Sequence, residues 1–252
     1  MLNRFFRRMA PIAVMALSAG LAGCNEVKVR MGESDGVPLP ELDMSGDPPT
    51  SLAMMGPDTV IISEGDALAI KAEGDNDVVE ALRFTLEDGG LGIMRDPEAW
   101  DLKGRATIRV TMPAPEELAM AGSGRIETPT MANRAEISIG GSGSVDVANF
   151  SSEQLEVNIG GSGKVTGAGS AERLEVSIGG SGNVRLDALK AERAEIAIAG
   201  SGDVRFASDG VVDASIAGSG DVIVTGRAKC TVSALGSGSL TCKAPAETET
   251  AE

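Results

Sequence analysis

The stretch Val157–Gly167, VNIGGSGKVTG, contains a Gly-Ser-Gly triplet that recurs along the chain and decides the fold. The first glycines of the copies are Gly122, Gly141, Gly161, Gly180, Gly200, Gly218 and Gly236. Successive copies are therefore 19, 20, 19, 20, 18 and 18 residues apart. Near-regular repeats of this length are typical of solenoids, in which each repeat buries its apolar side against its neighbours.

Alignment on the first glycine places apolar residues in three columns. Four residues before it stand Leu118, Ile137, Val157, Val176, Ile196, Ala214 and Val232. Two residues before it stand Met120, Ile139, Ile159, Ile178, Ile198, Ile216 and Ala234. Four residues after it stand Ile126, Val145, Val165, Val184, Val204, Val222 and Leu240. Alternation with period two, carried mostly by β-branched residues, predicts strands with one buried face.

The columns therefore predict an all-β, right-handed parallel β-helix with rungs of 18–20 residues. A left-handed β-helix repeats its apolar position every six residues, and these columns do not have that spacing. The glycines of the triplet, at inward positions, would allow a turn or a close approach of two walls. The serines would then stack outward, one per rung, as a hydrogen-bonding ladder.

Composition divides the chain into five segments. Residues 58–118 alternate between apolar and polar and contain turn signals, so we expect N-terminal strands and hairpins that cap the solenoid. Residues 119–243 are the Gly-Ser-Gly repeat domain. Residues 24–57, rich in Gly, Pro, Asp and Ser, are predicted to be a flexible tether. The acidic residues 244–252 are predicted to be a disordered tail.

Residues 1–23 have the features of a signal peptide. Arg4, Arg7 and Arg8 precede a short apolar stretch, which is too short to span a bilayer. The stretch ends in Leu21-Ala22-Gly23-Cys24, which resembles a bacterial lipoprotein signal. The resemblance implies that Cys24 is acylated, with palmitate among the chains, and anchors the protein to a membrane. Asn25 after the cysteine favours the outer membrane, on either its periplasmic or its outer surface, and an ordinary secretory peptide is the alternative.

The strand block ending in ATIRVTMPAPEELAMAGSGRI (106–126) is followed by repeated units such as VSIGGSGNV (176–184). This arrangement resembles the bacterial GIN domain, the head of autotransporter adhesins, from about Asp58 to Cys242. The resemblance implies a right-handed β-helix and a location in the cell envelope. It supplies no catalytic residues.

Composition excludes several classes of site. The chain carries a net charge of −15, and about −18 once the three arginines of residues 1–23 are removed, so we expect no nucleic-acid partner. It contains no histidine and no tyrosine, which excludes Ser-His triads and imidazole metal ligands.

The triplet also fails the motifs that it superficially matches. A phosphate-binding loop needs a glycine where Asn158 stands and a hydroxyl where Val165 stands. The calcium-binding nonapeptide needs an aspartate where Val145 stands. A nucleophilic Ser162 would need a nearby base, and seven equivalent serines argue against one special serine. We therefore predict no enzyme activity, no cofactor and no metal site.

Two charged columns form the main candidate surface. Five residues before the triplets stand Glu117, Glu136, Glu156, Glu175, Glu195, Asp213 and Thr231. Two residues earlier, Arg134, Arg173, Arg193 and Lys229 form a basic column that can offset the repulsion between stacked carboxylates. The candidate interaction face comprises Glu136, Glu156, Glu175, Glu195, Arg134, Arg173, Arg193, Ser142, Ser162 and Ser181. It is either a compensated solvent face or a repeating strip that binds a cationic or polar polymer.

Cys230 and Cys242 lie six residues before and after Gly236, at inward positions of the last rung. We predict a disulfide that closes the C-terminal end, with two free buried thiols as the alternative. Trp100, the single tryptophan, is expected to pack over the N-terminal cap rather than to stack on a ligand.

The sequence thus predicts a non-catalytic, lipid-anchored envelope protein whose rigid β-helix binds an unidentified cell-surface component. A structural protein that self-associates through its β-helix is the alternative. A β-helical polysaccharide-acting enzyme is a third candidate, which rests on fold alone.

Overall fold

The computed structural model, which describes residues 36–243, is a β-solenoid of parallel stacked rungs, as the triplet repeat predicts. The predicted signal peptide, Cys24 and the acidic tail lie outside the described residues. The strands of the N-terminal part are β1 Ser51–Gly56, β2 Thr59–Glu64, β3 Ala69–Glu73, β4 Leu82–Glu87, β5 Gly90–Arg95 and β6 Thr107–Met112. The strands of the repeat part are β7 Glu117–Gly122, β8 Arg125–Thr128, β9 Arg134–Gly141, β10 Ser144–Gly161, β11 Lys164–Gly180, β12 Asn183–Gly200, β13 Asp203–Gly218, β14 Asp221–Thr225, β15 Lys229–Gly236 and β16 Ser239–Lys243.

Helical structure is minor in the described residues. One short helix, α1 Asn76–Glu80, and the 3₁₀ turns Leu39–Glu41 and Pro97–Ala99 lie in the N-terminal part. The second turn begins at Asp96, whose side chain accepts a hydrogen bond from the backbone N–H of Glu98. No helix between residues 36 and 243 is long and apolar enough to cross a membrane.

The rungs stack in the register that the triplets predict. Val157 pairs with Ile137 on one side and with Val176 on the other, and Gly161 pairs with Gly141 and Gly180 in the same way. The three predicted apolar columns form the core, with side chains that are almost fully buried from Leu118 to Val222. Phe150 and Phe206 are buried in the same core. Burial of this continuous column supplies the hydrophobic stabilisation of the solenoid.

Differences in rung length are absorbed away from the triplet. The stacked strands shift register between Val147 and Phe150, between Thr166 and Ala168, between Leu186 and Lys190, and between Ala191 and Arg193. All four shifts follow the core residue that comes four positions after the first glycine of the triplet. One corner of the solenoid is therefore constant, and the other accepts rungs of 18, 19 or 20 residues as local bulges.

The glycines make the constant corner possible. Gly180 has a φ of +131°, and a Cβ added there would lie 2.5 Å from the carbonyl oxygen of Gly161 in the rung below. Gly182, the third residue of the same triplet, is buried, and its Cβ would lie 2.6 Å from Cγ2 of Ile159. The first glycine is thus a left-handed turn residue that is half exposed, not an inward core position as expected, while the third glycine faces the core.

The N-terminal strands belong to the solenoid and do not simply follow it in chain order. β1 lies between β5 and β7, and β2 lies between β6 and β8, all in parallel pairing. The terminal rung is therefore β5–β6, which comes later in the sequence than the β1–β2 rung that it covers. β4 and β3 then pair antiparallel with β5 and β6 and cover the end, as a cap was expected to do.

Two predicted boundaries need correction. The predicted flexible tether over 24–57 is too long, because β1 occupies Ser51–Gly56 and buries Leu52 and Met54. Before β1, Val37 already pairs with Phe84 of β4. The boundary between 118 and 119 falls inside β7, so the cap and the repeat domain are one continuous sheet. Short polar stretches around Pro48 and Pro57 concealed the apolar β1 strand in the sequence.

A buried ion pair fixes the terminal rung. Asp58, two residues after Gly56, accepts hydrogen bonds from Nε and Nη2 of Arg95 at 2.8 and 2.6 Å, and from the backbone N–H of Ala106 at 2.7 Å. Arg95 also donates to the carbonyl oxygens of Leu102 and Gly104. Because both charges are buried and paired, loss of either partner would leave an uncompensated charge inside the cap. Trp100 in the adjoining loop is 54% exposed, so the expectation that it packs over the cap is wrong.

The C-terminal rung is closed by the predicted disulfide. Cys230 of β15 and Cys242 of β16 are bonded across the rung. Bonding across a 12-residue separation stabilises such a rung by about 3 kcal/mol in the loop-entropy model.

The stacked glycines give a test with an adjacent control. Gly180→Ala should lower the free energy of unfolding by at least about 2 kcal/mol, because the added Cβ meets the Gly161 carbonyl in a left-handed backbone conformation. Gly179→Ala is the control, since its Cβ would lie 4.0 Å from the carbonyl oxygen of Ile159. Denaturant unfolding of both variants measures the difference. Equal stabilities would contradict the role assigned to the triplet glycine.

Candidate interaction face

The acidic column predicted from the sequence is a continuous ladder on the outer face of one wall. Cα register pairs Glu117 with Glu136, Glu136 with Glu156, and so on through Glu175 and Glu195. The ladder continues to Asp213 and ends at Thr231 of the last rung. Unit charges at the usual strand spacing would repel by roughly 3–4 kcal/mol at an effective dielectric constant of 20, and by less in open water.

The basic column lies beside the acidic one, and its residues Arg134, Arg173 and Arg193 are exposed. Part of the predicted compensation acts through space. Arg173 lowers the pKa of Glu175 in this way, but more weakly than other influences raise it.

Burial and like charge together raise the pKa of Glu175 above its ordinary value. Partial burial disfavours the charged carboxylate most, followed by repulsion from Glu156 and then from Glu195. Glu175 is half-buried in the middle of the ladder, with an acidic neighbour on each side. The ladder is therefore a surface on which additional positive charge would be stabilising.

Polar residues next to the ladder orient some of its carboxylates. Nδ2 of Asn158 donates to Oε1 of Glu156 at 2.9 Å, and Oγ of Ser138 donates to Oε1 of Glu136 at 3.3 Å. Both donors are buried, although they alternate with the core residues along their strands. Oδ1 of Asn158 accepts no hydrogen bond in the described part of the chain.

A groove of about 730 Å³ lies at the N-terminal end of the ladder. One wall is the turn between β4 and β5, with Glu87 and Asp88, and the floor is formed by β1, β7, β9 and β10. Its charged lining residues are Glu87, Asp88, Glu116, Glu117, Glu136, Glu156 and Arg134. Among the described residues, six carboxylates and one guanidinium line the groove, so this lining is strongly negative. Sequence analysis did not identify this wall or Glu116 as part of a site, because nothing in the repeat indicates where the β4–β5 hairpin lies.

A second, smaller depression of about 120 Å³ continues the same face toward the C-terminus. It is lined by Arg173, Glu175, Arg193, Ala194, Glu195, Val211 and Asp213. Both depressions thus follow the charged columns, and both mix acidic with basic groups. The face is corrugated rather than flat.

The serine ladder is in register but is not part of this site. Ser142, Ser162 and Ser181 are exposed, follow the strand ends at the glycine corner, and line neither depression. Their backbone N–H groups donate to the glycine carbonyls of the rung below at 2.8 Å. Of the hydroxyl–hydroxyl contacts expected along the ladder, the described residues show the one between Ser219 and Ser237, at 3.4 Å. The triplet serines therefore belong to the corner and not to the groove.

The residues of the face fit binding better than catalysis. No group of three or more His, Cys, Asp or Glu side chains in the described range could hold a metal ion. The carboxylates are spread along the wall at the spacing of the rungs, and acid–base catalysis would need two of them with separated pKa values around one substrate atom. What the arrangement offers is a repeating negative surface with hydrogen-bond acceptors.

Comparison with known proteins agrees with this picture. The sequence profile of the family described as "Putative auto-transporter adhesin, head GIN domain" matches residues 48–228. A search among curated proteins gives no match.

The fold is similar to several solved bacterial structures. A "putative adhesin" from Bacteroides fragilis NCTC 9343 is similar with a TM-score of 0.66 at 19% identity, over 79% of this chain and 93% of that one. A "Putative lipid binding protein" from Parabacteroides distasonis ATCC 8503 has a TM-score of 0.59 at 23% identity, over 78% and 93%. A "putative adhesin" from Parabacteroides merdae ATCC 43184 has a TM-score of 0.56 at 15% identity, over 78% and 92%. At these identities the likeness concerns the fold.

Because the pKa of Glu175 is raised, replacing its carboxyl group should stabilise the folded protein to an extent that depends on pH. A carboxyl group whose pKa is higher in the folded state destabilises that state at neutral pH, and the penalty disappears as pH falls through the folded pKa. Glu175→Gln should therefore raise the Tm at pH 7, and the difference from the parent should close at acidic pH. Thermal unfolding across this range measures it, with the exposed Glu172→Gln as the control. A Tm difference that does not depend on pH would contradict the explanation.

Proposed function

This chain belongs to the GIN-domain family of adhesin heads, and from that premise we propose that it is a non-catalytic, lipid-anchored protein of the cell envelope that binds a cationic surface component. The observation that carries the proposal is the acidic groove at the end of the glutamate ladder. It is a large, strongly negative depression whose floor of paired strands is already formed, and a preformed site lowers the cost of binding.

The chemistry of the groove defines the class of partner. A polymer with positive charges at regular intervals could pair with carboxylates that repeat along the wall and would relieve their mutual repulsion. Exposed pairs of this kind contribute only about 0.2–1 kcal/mol each, so affinity would come from several rungs acting together. Multivalent, individually weak contacts are the mode expected of an adhesive surface.

The proposed lipid anchor would place this face at the cell envelope. Residues 25–35 separate Cys24 from Gly36, the first described residue, and the chain then pairs with β4 at the capped end of the solenoid. Attachment through Cys24 would therefore hold the capped end near the membrane and direct the last rung away from it. The groove would then lie near the membrane-proximal end of the solenoid.

The "Putative lipid binding protein" from Parabacteroides distasonis suggests lipid as another partner for the same fold. That protein shares the solenoid at 23% identity. The acidic lining of the groove disfavours anionic headgroups here. The cationic polymer is accordingly the better candidate for this chain.

A matched pair of triple variants tests the face. Combining Glu136→Gln, Glu156→Gln and Glu175→Gln should weaken binding of poly-L-lysine to the full chain about tenfold, because three contacts of roughly 0.5 kcal/mol are removed. The control combines Glu172→Gln, Asp187→Asn and Glu192→Gln, which removes the same charge from exposed positions outside both depressions. Titration at several salt concentrations gives the affinities. An equal loss in both variants would show that net charge, not the face, attracts the polymer.

The anchor is tested separately. Cys24→Ala should abolish incorporation of a palmitate analogue and shift the protein from the membrane to the soluble fraction, since the acyl chains supply about 0.8 kcal/mol per buried methylene. Cys230→Ala with Cys242→Ala is the control, because those cysteines are joined within the fold. Continued labelling of the Cys24→Ala protein would contradict acylation at this residue.

A further inference from the structure

The last rung of the solenoid has one unpaired side. β15 pairs with β13, β16 pairs with β14, and no strand of the described residues lies beyond them. Val232, in a core column whose other members are almost fully buried, is 48% exposed there. A rung with free N–H and C=O groups and an open apolar interior is a template for further strand pairing.

The two ends of the solenoid differ in this respect. At the N-terminal end, β3 and β4 run antiparallel over β6 and β5, and β3 carries Lys71 and Glu73, which form an ion pair. Charged antiparallel edges of this kind discourage further pairing. The C-terminal end has no such cover within residues 36–243.

The charge pattern changes at the last rung. Thr231 stands where each of the six preceding rungs has Glu or Asp, and neither β15 nor β16 contains an acidic residue. Lys229 and Lys243 are the charged residues of the two strands. A strand pairing on any other rung would meet a carboxylate at strand spacing, and this repulsion is absent here.

The last rung also carries a large apolar side chain at a position where the preceding rungs have a small residue. The position just before the triplet is Ala or Gly in the six preceding rungs, but it is Leu235 in the last one, and Leu235 is 80% exposed. The disulfide between Cys230 and Cys242 holds β15 and β16 together as one preformed rung. The end is therefore apolar, nearly free of charge repulsion and fixed in shape.

We propose that two copies of this chain join through their C-terminal rungs to form a closed dimer. A partner must cover two edge strands and the apolar interior at once, and another C-terminal rung has the matching outline. The capped N-terminal end cannot pair with this rung. The contact therefore joins two C-terminal ends about a two-fold axis. Such an axis reverses strand direction, so each edge strand pairs antiparallel with its own counterpart. The assembly stops at two copies because both open ends are used.

Sedimentation of the full chain in detergent, from about 1 μM to about 1 mM, tests the proposal. The parent should change from monomer to dimer and form nothing larger. Thr231→Glu continues the acidic ladder into the last rung and should raise the dissociation constant of the dimer at least tenfold. Ser201→Glu is the control, since it adds the same charge at an exposed site in the middle of the solenoid and should leave dimerisation unchanged.

Hydrogen exchange on the same samples distinguishes a second copy from other segments that could cover the last rung. Amides of β15 should become protected as the parent dimerises, and thermal unfolding should show that Thr231→Glu folds as the parent does. A parent that stays monomeric throughout the range, or that grows into filaments, overturns the proposal. So does protection of β15 in a monomer that is lost on deletion of residues 244–252, because the chain's own tail would then cover the rung.

Discussion

Contact between the backbones of successive glycine triplets is the constraint on which the rest of this structure depends. At each triplet from Gly122 to Gly236, a Cβ on the first glycine would lie 2.8 Å or less from the carbonyl oxygen of the glycine below. Only glycine permits this approach together with a positive φ. Because the triplets must lie directly above one another, every residue at a fixed distance from them is stacked on its equivalent in the next rung.

That stacking creates the charged face as well as the core. Isoleucine and valine in register bury one another, and the same register places glutamate over glutamate from Glu117 to Glu195. The repulsion is tolerated because the outer face is partly exposed to water and arginines lie nearby. The raised pKa of Glu175 is its local consequence, and a ligand of positive charge would relieve it. The fold thus gives the surface a repeating negative charge that follows directly from how its core is built.

The two ends of the solenoid differ in how the unpaired edge of the terminal rung is covered. The N-terminal end uses antiparallel strands over a terminal rung that the buried pair of Asp58 and Arg95 fixes, and its turn between β4 and β5 also forms a wall of the acidic groove. The C-terminal end relies on a disulfide and leaves apolar side chains exposed. The proposed binding site and the proposed dimer contact consequently lie at opposite ends. Lipid attachment through Cys24 would hold the capped end toward the membrane and leave the other free to meet a second copy.

The sequence by itself determined the parallel rungs, the core columns, the charged ladders and the disulfide, because in a solenoid each of these depends only on distance from the nearest triplet. It could not reveal that β1 lies between β5 and β7, since strand order there departs from chain order. Nor could it locate the acidic groove, whose wall carries Glu87 and Asp88 from a hairpin outside the repeat. Contacts between segments without a common period are set by packing, and a sequence pattern carries no record of them. The repeat therefore specified the face, and only the tertiary structure decided where that face becomes a site.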